Sequence, residues 1–130
     1  MNILDENILS DQRRVLKSWR IAVHQIGYDL GRKGMQDDEI VPLLHQLKAP
    51  TFFTRDSDFY DRTLCHAQYC LVLLSVEKYE AANFVRRLLR HPRFDTHAKC
   101  NGAVMRVSHG GIVAWSLHAE TECWVEWRTM

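Results

Sequence analysis

Short apolar runs alternate with stretches of helical periodicity along most of this chain. Residues 1–4, 21–26, 51–54 and 70–76 are apolar and rich in β-favouring side chains, which predicts buried strands. Between these runs, apolar residues recur at three- and four-residue spacings, the pattern of one helix face. The three helix stripes are Val15, Leu16 and Trp19; Ile40, Leu43, Leu44 and Leu47; and Ala81, Phe84, Val85 and Leu88.

Polar and breaking residues mark where the predicted helices begin. Ser10 is expected to cap the first helix, because its hydroxyl can accept a hydrogen bond from a free backbone N–H. Residues 27–36 hold three glycines and predict a loop. Either Asp37 or Asp38 is then expected to cap the second helix. Pro42 is expected in its first turn, where a missing N–H is tolerated.

The last third of the chain changes to a β pattern. Residues 103–107 and 112–117 flank Ser108-His109-Gly110-Gly111, which predicts a β-hairpin. Residues 122–128 alternate, with Cys123, Val125 and Trp127 on one side. Trp115, Trp124 and Trp127 are expected either to pack this sheet or to form a protein interface.

The order of these elements indicates an α/β fold. Alternating strands and helices predict a three-layer α/β/α sandwich with a mostly parallel central sheet. The hairpin and last strand are expected to extend this sheet at one edge. We therefore predict a single domain over residues 1–130, with a core over residues 1–92 and a β extension over residues 100–128.

The net charge of +1 hides segments of opposite charge along the chain. Residues 81–119 hold six lysines and arginines but one acidic residue, Asp95, whereas the first 80 residues are slightly acidic. Arg86, Arg87 and Arg90 lie in this basic segment, either as an RNA-binding face or as an ordinary solvated helix face. An acidic half followed by a basic segment suits a metal site beside a polyanion-binding surface.

Several features predict a cytoplasmic protein without a membrane segment. Asp5 and Glu6 fall where a signal peptide would be basic and then apolar, and no apolar run reaches the ~20 residues that span a bilayer. The four cysteines lack CxxC spacing, which favours reduced thiols. Cys65, Cys70, His97 and Cys100 are too irregularly spaced to favour zinc over buried structural cysteine.

Carboxylates cluster at the predicted ends of strands and at one helix start. Asp5 ends the first strand, Asp56 and Asp58 follow the third, and residues 37–39 open the second helix. Because strand ends and helix starts share one edge of such a sheet, these acids are expected to converge and repel unless cations neutralise them. Oxygen ligands of this kind suit Mg²⁺ or Mn²⁺. Each acid alone also has a capping or turn explanation.

Three acidic motifs resemble those of a known family. Leu4-Asp5-Glu6-Asn7, Asp37-Asp38-Glu39-Ile40 and Thr54-Arg55-Asp56-Ser57-Asp58-Phe59 look like the motifs of the compact PIN-like proteins, relatives of VapC-type toxins. The glycine-containing loop over residues 27–34 also looks like the family's stretch before the acidic helix. The resemblance covers roughly residues 1–90, and the C-terminal tryptophans are not part of it.

This resemblance implies a PIN-like fold and a metal-dependent ribonuclease, the toxin of a toxin–antitoxin pair. It implies RNA as substrate, a cognate antitoxin as protein partner and Mg²⁺ or Mn²⁺ as cofactor; a homodimer stays open. A metal-activated water would hydrolyse the phosphodiester. The implied catalytic and metal-binding residues are Asp5, Asp37, Asp56 and Asp58, with Glu39 as the alternative helix-start ligand. Arg32, Lys33 and Arg55 are expected to contact flanking phosphates.

Two other functions fit the same residues. One is a catalytically inactive PIN-like module that binds RNA or a protein. The other is a phosphoacceptor domain of the receiver type, which also gathers acids at strand ends. That class is expected to carry a lysine after its final parallel strand, but Val76 is followed by Glu77 before Lys78.

Overall fold

The computed structural model describes residues 1–127, and one seven-stranded sheet runs through them. The order of strands across it is β2-β1-β3-β4-β5-β6-β7. Neighbours from β2 to β5 pair in parallel, and β6 and β7 add antiparallel strands at the edge. The strands are β1 Asn2–Leu4, β2 His24–Gln25, β3 Thr51–Thr54, β4 Cys70–Leu74, β5 Ala103–Ser108, β6 Gly111–Ser116 and β7 Cys123–Val125.

Four α-helices connect the strands in this part of the chain: α1 Ser10–Ser18, α2 Asp37–His45, α3 Ala81–Leu89 and α4 His97–Cys100. Three short 3₁₀ helices lie at Ser57–Phe59, Arg62–Leu64 and Lys78–Glu80. The predictions of an α/β fold with a mostly parallel sheet and of a C-terminal hairpin are confirmed. The 3₁₀ helices and α4 were not predicted, because single turns leave too little periodicity in the sequence.

Helices cover both faces of the sheet. On one face, Leu16 of α1 and Phe84 of α3 pack with Phe53 in a single apolar cluster. On the other face, Ile40 of α2 packs with Phe52 in a second cluster. Adjacent residues of a strand point to opposite faces of the sheet. Because β3 is buried throughout, its environment is apolar on both faces. The continuous apolar runs in the sequence are explained by this two-sided burial.

The position of β1 between β2 and β3 determines where a site can form. The connection through α1 carries the chain to one side of β1, and the connection through α2 carries it to the other. Open parallel sheets bind ligands beyond the carboxyl ends of the strands at such a switch in direction. The carboxyl ends of β1 and β3 therefore define the expected crevice.

Several predicted boundaries were wrong. The second strand is two residues long rather than six, because short β1 offers only Ile3 and Leu4 as partners. Leu9 occupies the N-cap position of α1, so Ser10 does not cap this helix. Gln36, not Asp37 or Asp38, is the N-cap of α2.

Pro42 lies beyond the first turn of α2, contrary to prediction. It is the sixth residue of the helix, where an ordinary residue would donate to the carbonyl of Asp38. Pro42 is exposed, so its ring meets solvent rather than the sheet. The apolar stripe, including buried Ile40 and Leu44, holds the helix against the sheet despite the lost hydrogen bond.

The C-terminal tryptophans divide between packing and exposure. Trp127 packs against the α3 face, and its indole N–H donates to the carbonyl of Ser108 at 2.7 Å. Trp115 donates to the carboxylate of Glu122 at 2.9 Å. Trp124 is 55% exposed on β7, the edge strand. The predicted packing role is confirmed for Trp127, and the interface role stays a prediction.

No helix within residues 1–127 combines the length and apolar character needed to cross a membrane. All four cysteines are free thiols; Cys70 and Cys100 are buried, as the preference for structural cysteine predicted. The cytoplasmic location stays a prediction.

We expect Gln12→Leu to destabilise the fold by about 1–3 kcal/mol. Gln12 is buried in α1, and its side-chain oxygen accepts the backbone N–H of Ala82 in α3 at 2.9 Å. Leucine fills similar space but leaves that buried donor without an acceptor. Urea unfolding followed by circular dichroism measures the change. Gln46→Leu is the control, because Gln46 is exposed; equal effects of both substitutions would contradict this role.

Candidate metal site

Three of the predicted acidic residues lie together at the carboxyl edge of the sheet. Asp37 opens α2, Asp56 follows β3, and Asp58 lies in the adjacent 3₁₀ helix. One carboxylate oxygen from each lies within 4.8 Å of the others. The topology explains this convergence, since the end of β3 and the start of α2 reach the same edge.

Asp5 lies beside these three residues but is held differently. It is 8% exposed, and its two carboxylate oxygens accept from the Thr54 hydroxyl at 2.6 Å and the Glu6 backbone N–H at 2.7 Å. Burial raises the pKa of Asp5, although both hydrogen bonds oppose that shift and Asp56 adds to it. Asp5 does not join the set of oxygens within 4.8 Å, so it is a fixed charge at the margin of the cluster.

The hydroxyl of Thr54 connects the two strand ends. It donates to Asp5 and accepts from the backbone N–H of Asp56 at 3.0 Å. The Asn7 amide also lies 3.4 Å from this hydroxyl, and its oxygen accepts the Arg55 N–H at 3.3 Å. Thr54 and Asn7 belong to two of the acidic motifs, but the sequence alone indicates no role for them. Their contact depends on the pairing of β1 with β3, which brings the two residues together.

Asp56 both stabilises a turn and belongs to the cluster. One of its carboxylate oxygens accepts the backbone N–H of Asp58 at 3.0 Å, as in an Asx turn. The capping explanation considered for this motif is therefore correct. It does not exclude a metal site, because an ionised carboxylate retains further acceptor positions.

Asp37 is free of the capping role that the sequence suggested for it. Gln36 is the N-cap, and the carboxylate of Glu39 completes a capping box by accepting the Gln36 N–H at 3.3 Å; Glu39 also pairs with Arg32. Partial burial, followed by the charges of Asp56 and Asp58, raises the pKa of Asp37. Asp37 rather than Glu39 therefore faces the cluster.

The three carboxylates fit a hard divalent cation. Oxygens on six-coordinate Mg²⁺ lie about 3 Å apart when adjacent and about 4.2 Å apart when opposite. The three carboxylate oxygens, all within 4.8 Å of one another, reach such spacings by rotation of their side chains. Asp37 and Asp58 are exposed and can rotate, whereas Asp56 is held by its turn. Carboxylate ligands with room for water suit Mg²⁺ or Mn²⁺. A cation would also neutralise the repulsion that raises the pKa of Asp37.

The basic residues predicted to bind RNA lie in different places. Arg55 flanks the cluster, and its side chain donates to the carbonyl of Val76 at 3.2 Å. Lys33 is exposed on the same edge, whereas Arg32 is paired with Glu39. Arg55 therefore lies next to the acids, and Lys33 lines a cleft at the same edge.

The arginines of α3 have structural contacts. The guanidinium carbon of Arg86 lies 3.6 Å from the Trp19 ring centroid, and that of Arg87 lies 4.3 Å from the Trp127 ring centroid. Arg90 is exposed but follows the end of α3, which runs away from the carboxyl edge. The structure therefore does not bring these three arginines together with the acidic cluster.

Two clefts open at the carboxyl edge. One of about 370 Å³ includes Asn7, Arg13, Tyr28 and Lys33 and lies beside β1 and β2. The other, of about 500 Å³, lies beside β4 and includes Arg55 and Ser57 together with Ser75, Glu77, Glu80 and His109. Residues bonded to the Thr54 network, Asn7 and Arg55, line one cleft each. Through Asn7 and Arg55, each cleft adjoins the strand end that carries Asp56.

The receiver-type alternative lacks its expected lysine in the structure too. The final parallel strand is β5, not β4 as the sequence suggested, and His109 and Gly110 follow it. His109 pairs with Glu80 at 2.9 Å. A histidine held by a carboxylate replaces the free ammonium group that this class is expected to use.

We expect Asp56→Asn to stabilise the protein in EDTA near pH 7. Asparagine can keep the turn to Asp58 but removes one of the charges that raise the pKa values of Asp5 and Asp37. Those raised values mean that the folded state binds protons more tightly, so wild-type stability falls as pH rises above 3.8 through them. The gain should therefore be largest near neutrality and shrink on acidification. Thermal unfolding at several pH values measures it.

Asp61→Asn is the matched control for this substitution. Asp61 caps the next 3₁₀ helix by accepting the Thr63 N–H at 2.9 Å, as Asp56 caps its own. Hydrogen bonds from Thr63 lower the pKa of Asp61, so its charge is favourable. Asp61→Asn should leave stability unchanged or reduce it. Destabilisation by both variants at pH 7 would contradict repulsion at the cluster.

Comparison with known proteins leaves the family open. No protein-family model matches this chain. No curated protein and no solved structure matches it either. The resemblance to PIN-like proteins therefore remains an interpretation of the three motifs, beside the geometry that brings Asp37, Asp56 and Asp58 together.

Proposed function

We propose that this protein is a Mg²⁺- or Mn²⁺-dependent ribonuclease of the PIN-like type, acting as the toxin of a toxin–antitoxin pair. The observation that carries the proposal is the convergence of Asp37, Asp56 and Asp58, with Asp5 beside them. These residues come from three separate motifs, and they meet where a parallel sheet binds ligands. A PIN-like three-layer sandwich is consistent with helices on both faces of the sheet.

In this proposal the side chains of the protein hold the cation and supply negative charge around it, and none of them acts as a covalent nucleophile. When bound, the cation would lower the pKa of a water ligand and stabilise charge on the phosphate oxygens. Asp37, Asp56 and Asp58 would hold it, and Asp56 is kept in place by its own turn. Asp5 adds a buried negative charge in a fixed position, which strengthens the attraction for a cation.

The surroundings of the cluster favour an extended polyanion as the substrate. Arg55 and Lys33 line two separate clefts at this edge, where each can contact a phosphate flanking the cleaved one. Both clefts are open to solvent, so a chain can enter and leave in either direction. Single-stranded RNA meets this requirement because its backbone can follow a curved surface.

One observation favours the second candidate, a PIN-like module that binds RNA without cleaving it. Asp5 is committed to Thr54 and Glu6 and stands outside the three-carboxylate set. If cleavage requires Asp5 as a direct ligand, the protein would bind a cation without turnover. Metal binding and cleavage must therefore be measured separately.

We expect wild-type protein to bind Mn²⁺ and to cleave single-stranded RNA in a reaction that EDTA abolishes. Asp56→Asn should weaken Mn²⁺ binding and reduce the cleavage rate by about 100-fold or more, because a ligand to the cation is lost. Calorimetry measures binding, and a fluorophore-quencher RNA measures cleavage. Asp61→Asn should retain both properties, since Asp61 caps a neighbouring turn outside the cluster.

The outcomes separate the two candidates. Mn²⁺ binding that requires Asp56, without cleavage of any RNA tested, would favour the binding module. Cleavage that survives Asp56→Asn would contradict both the site and the proposed mechanism. As a test of the toxin role, induced expression should arrest bacterial growth with the wild-type chain but not with Asp56→Asn at equal protein levels.

A further inference from the structure

Tyr28 is an exposed aromatic residue at the rim of the cleft beside β1 and β2. Its side chain is 63% exposed, and it lines the 370 Å³ cleft with Arg13, Lys33 and Asn7. Asn7 contacts the Thr54 hydroxyl, which binds Asp5. The ring is therefore on the carboxyl edge, on the β2 side of the acidic cluster.

Two cations lie over the ring of Tyr28, and a third lines the same cleft. The Arg13 guanidinium carbon lies 3.7 Å from the ring centroid, so it covers one face. The Lys17 ammonium lies 5.5 Å from the same centroid, and exposed Lys33 lines the same cleft. Glu6, the carboxylate in this cleft, accepts the backbone N–H of Gly34 at 2.9 Å. An open aromatic face among cations suits a planar base attached to a phosphate.

A tight turn holds Tyr28 in this position. Gly27 precedes it with φ +84°, a conformation that side chains rarely adopt, and a Cβ there would lie 2.6 Å from a Glu6 oxygen. The N–H of Tyr28 donates to the carbonyl of Gln25 at 3.1 Å. Asp29 accepts the Gln25 N–H at 2.7 Å and closes the turn. The exposed ring is thus displayed by a constrained backbone.

Gln25 connects this turn to the acidic edge. It is 3% exposed, and its amide donates to the carbonyls of Asp5 at 3.0 Å and Ile8 at 2.6 Å. Its side-chain oxygen accepts a hydrogen bond from Arg13, the residue that covers Tyr28. The ring, its cation and the strand end that carries Asp5 therefore form one connected unit. These hydrogen bonds fix Tyr28 and Arg13 relative to the strand end, so a base stacked on the ring has a defined position relative to a bound phosphate.

We propose that Tyr28 and Arg13 form a stacking subsite for one nucleobase of a single-stranded RNA that has a phosphate at the acidic cluster. The inference rests on the proposed ribonuclease function and deepens it by assigning a base-binding position. The base stacks on the face of Tyr28 that Arg13 leaves open, and Lys33 contacts an adjoining phosphate. Stacking of this kind accepts any base, so the subsite contributes affinity more than sequence selectivity.

Fluorescence anisotropy with a 5′-labelled 12-nucleotide RNA in EDTA tests the subsite without cleavage. Tyr28→Leu should weaken binding about tenfold, because the stacking face is lost. Tyr28→Trp should bind at least as well as wild type. Tyr79→Leu is the matched control, since Tyr79 is 65% exposed with the Lys78 ammonium 5.2 Å from its ring but lines neither cleft. It should bind as wild type does.

An abasic scan locates the contact. Replacing one nucleotide at a time by an abasic residue should weaken binding to the wild type at one main position, and Tyr28→Leu should remove that sensitivity. Binding by Tyr28→Leu within twofold of wild type, or failure of wild type to bind the RNA both in EDTA and with Ca²⁺ in its place, would overturn the subsite. Failure of the proposed function is distinct: it would appear as absent cleavage with Mn²⁺ while Tyr28-dependent binding in EDTA persists.

Discussion

The parallel pairing of β1 with β3 is the constraint on which the rest of the site depends. These two buried strands lie side by side although α1, β2 and α2 separate them in the chain. Their pairing brings Asp5 to the Thr54 hydroxyl and delivers Asp56 to the same edge. The connection through α1 leads to β2 on one side of β1, and the connection through α2 leads to β3 on the other side. Because of this switch in direction, the edge between β1 and β3 stays open to a ligand.

That open edge concentrates negative charge, and the neighbouring carboxylates add to the desolvation that raises the pKa values of Asp5 and Asp37. The chain places Asp37, Asp56 and Asp58 within a few ångströms and buries Asp5 nearby. A turn hydrogen bond holds Asp56, while Gln36 and Glu39 form the capping box of α2 and leave Asp37 outside it. Repulsion between like charges at an otherwise well-packed edge is typical of functional sites, where a bound ligand offsets that repulsion.

The same edge also explains the arrangement of aromatic and basic groups around the acids. The buried amide of Gln25 joins the turn that displays Tyr28 to the loop after β1. Arg86 and Arg87 of α3, which the charge pattern offered either as an RNA-binding face or as a solvated helix face, lie against Trp19 and Trp127 as packing partners. Local charge density in a sequence therefore does not identify a binding surface, because long cationic side chains also cover apolar rings.

The sequence by itself determined most of the strands, three of the helices and the candidate acids. Two-sided apolar runs predicted the strands, helical spacing predicted α1, α2 and α3, and the motifs singled out Asp5, Asp37, Asp56 and Asp58. Only the tertiary structure decided which acid faces the cluster, which one caps a helix and that Tyr28 and Gln25 belong to the same edge. The physical reason is that periodicity reports burial within one element, whereas a site depends on contacts between strands and loops far apart in the chain.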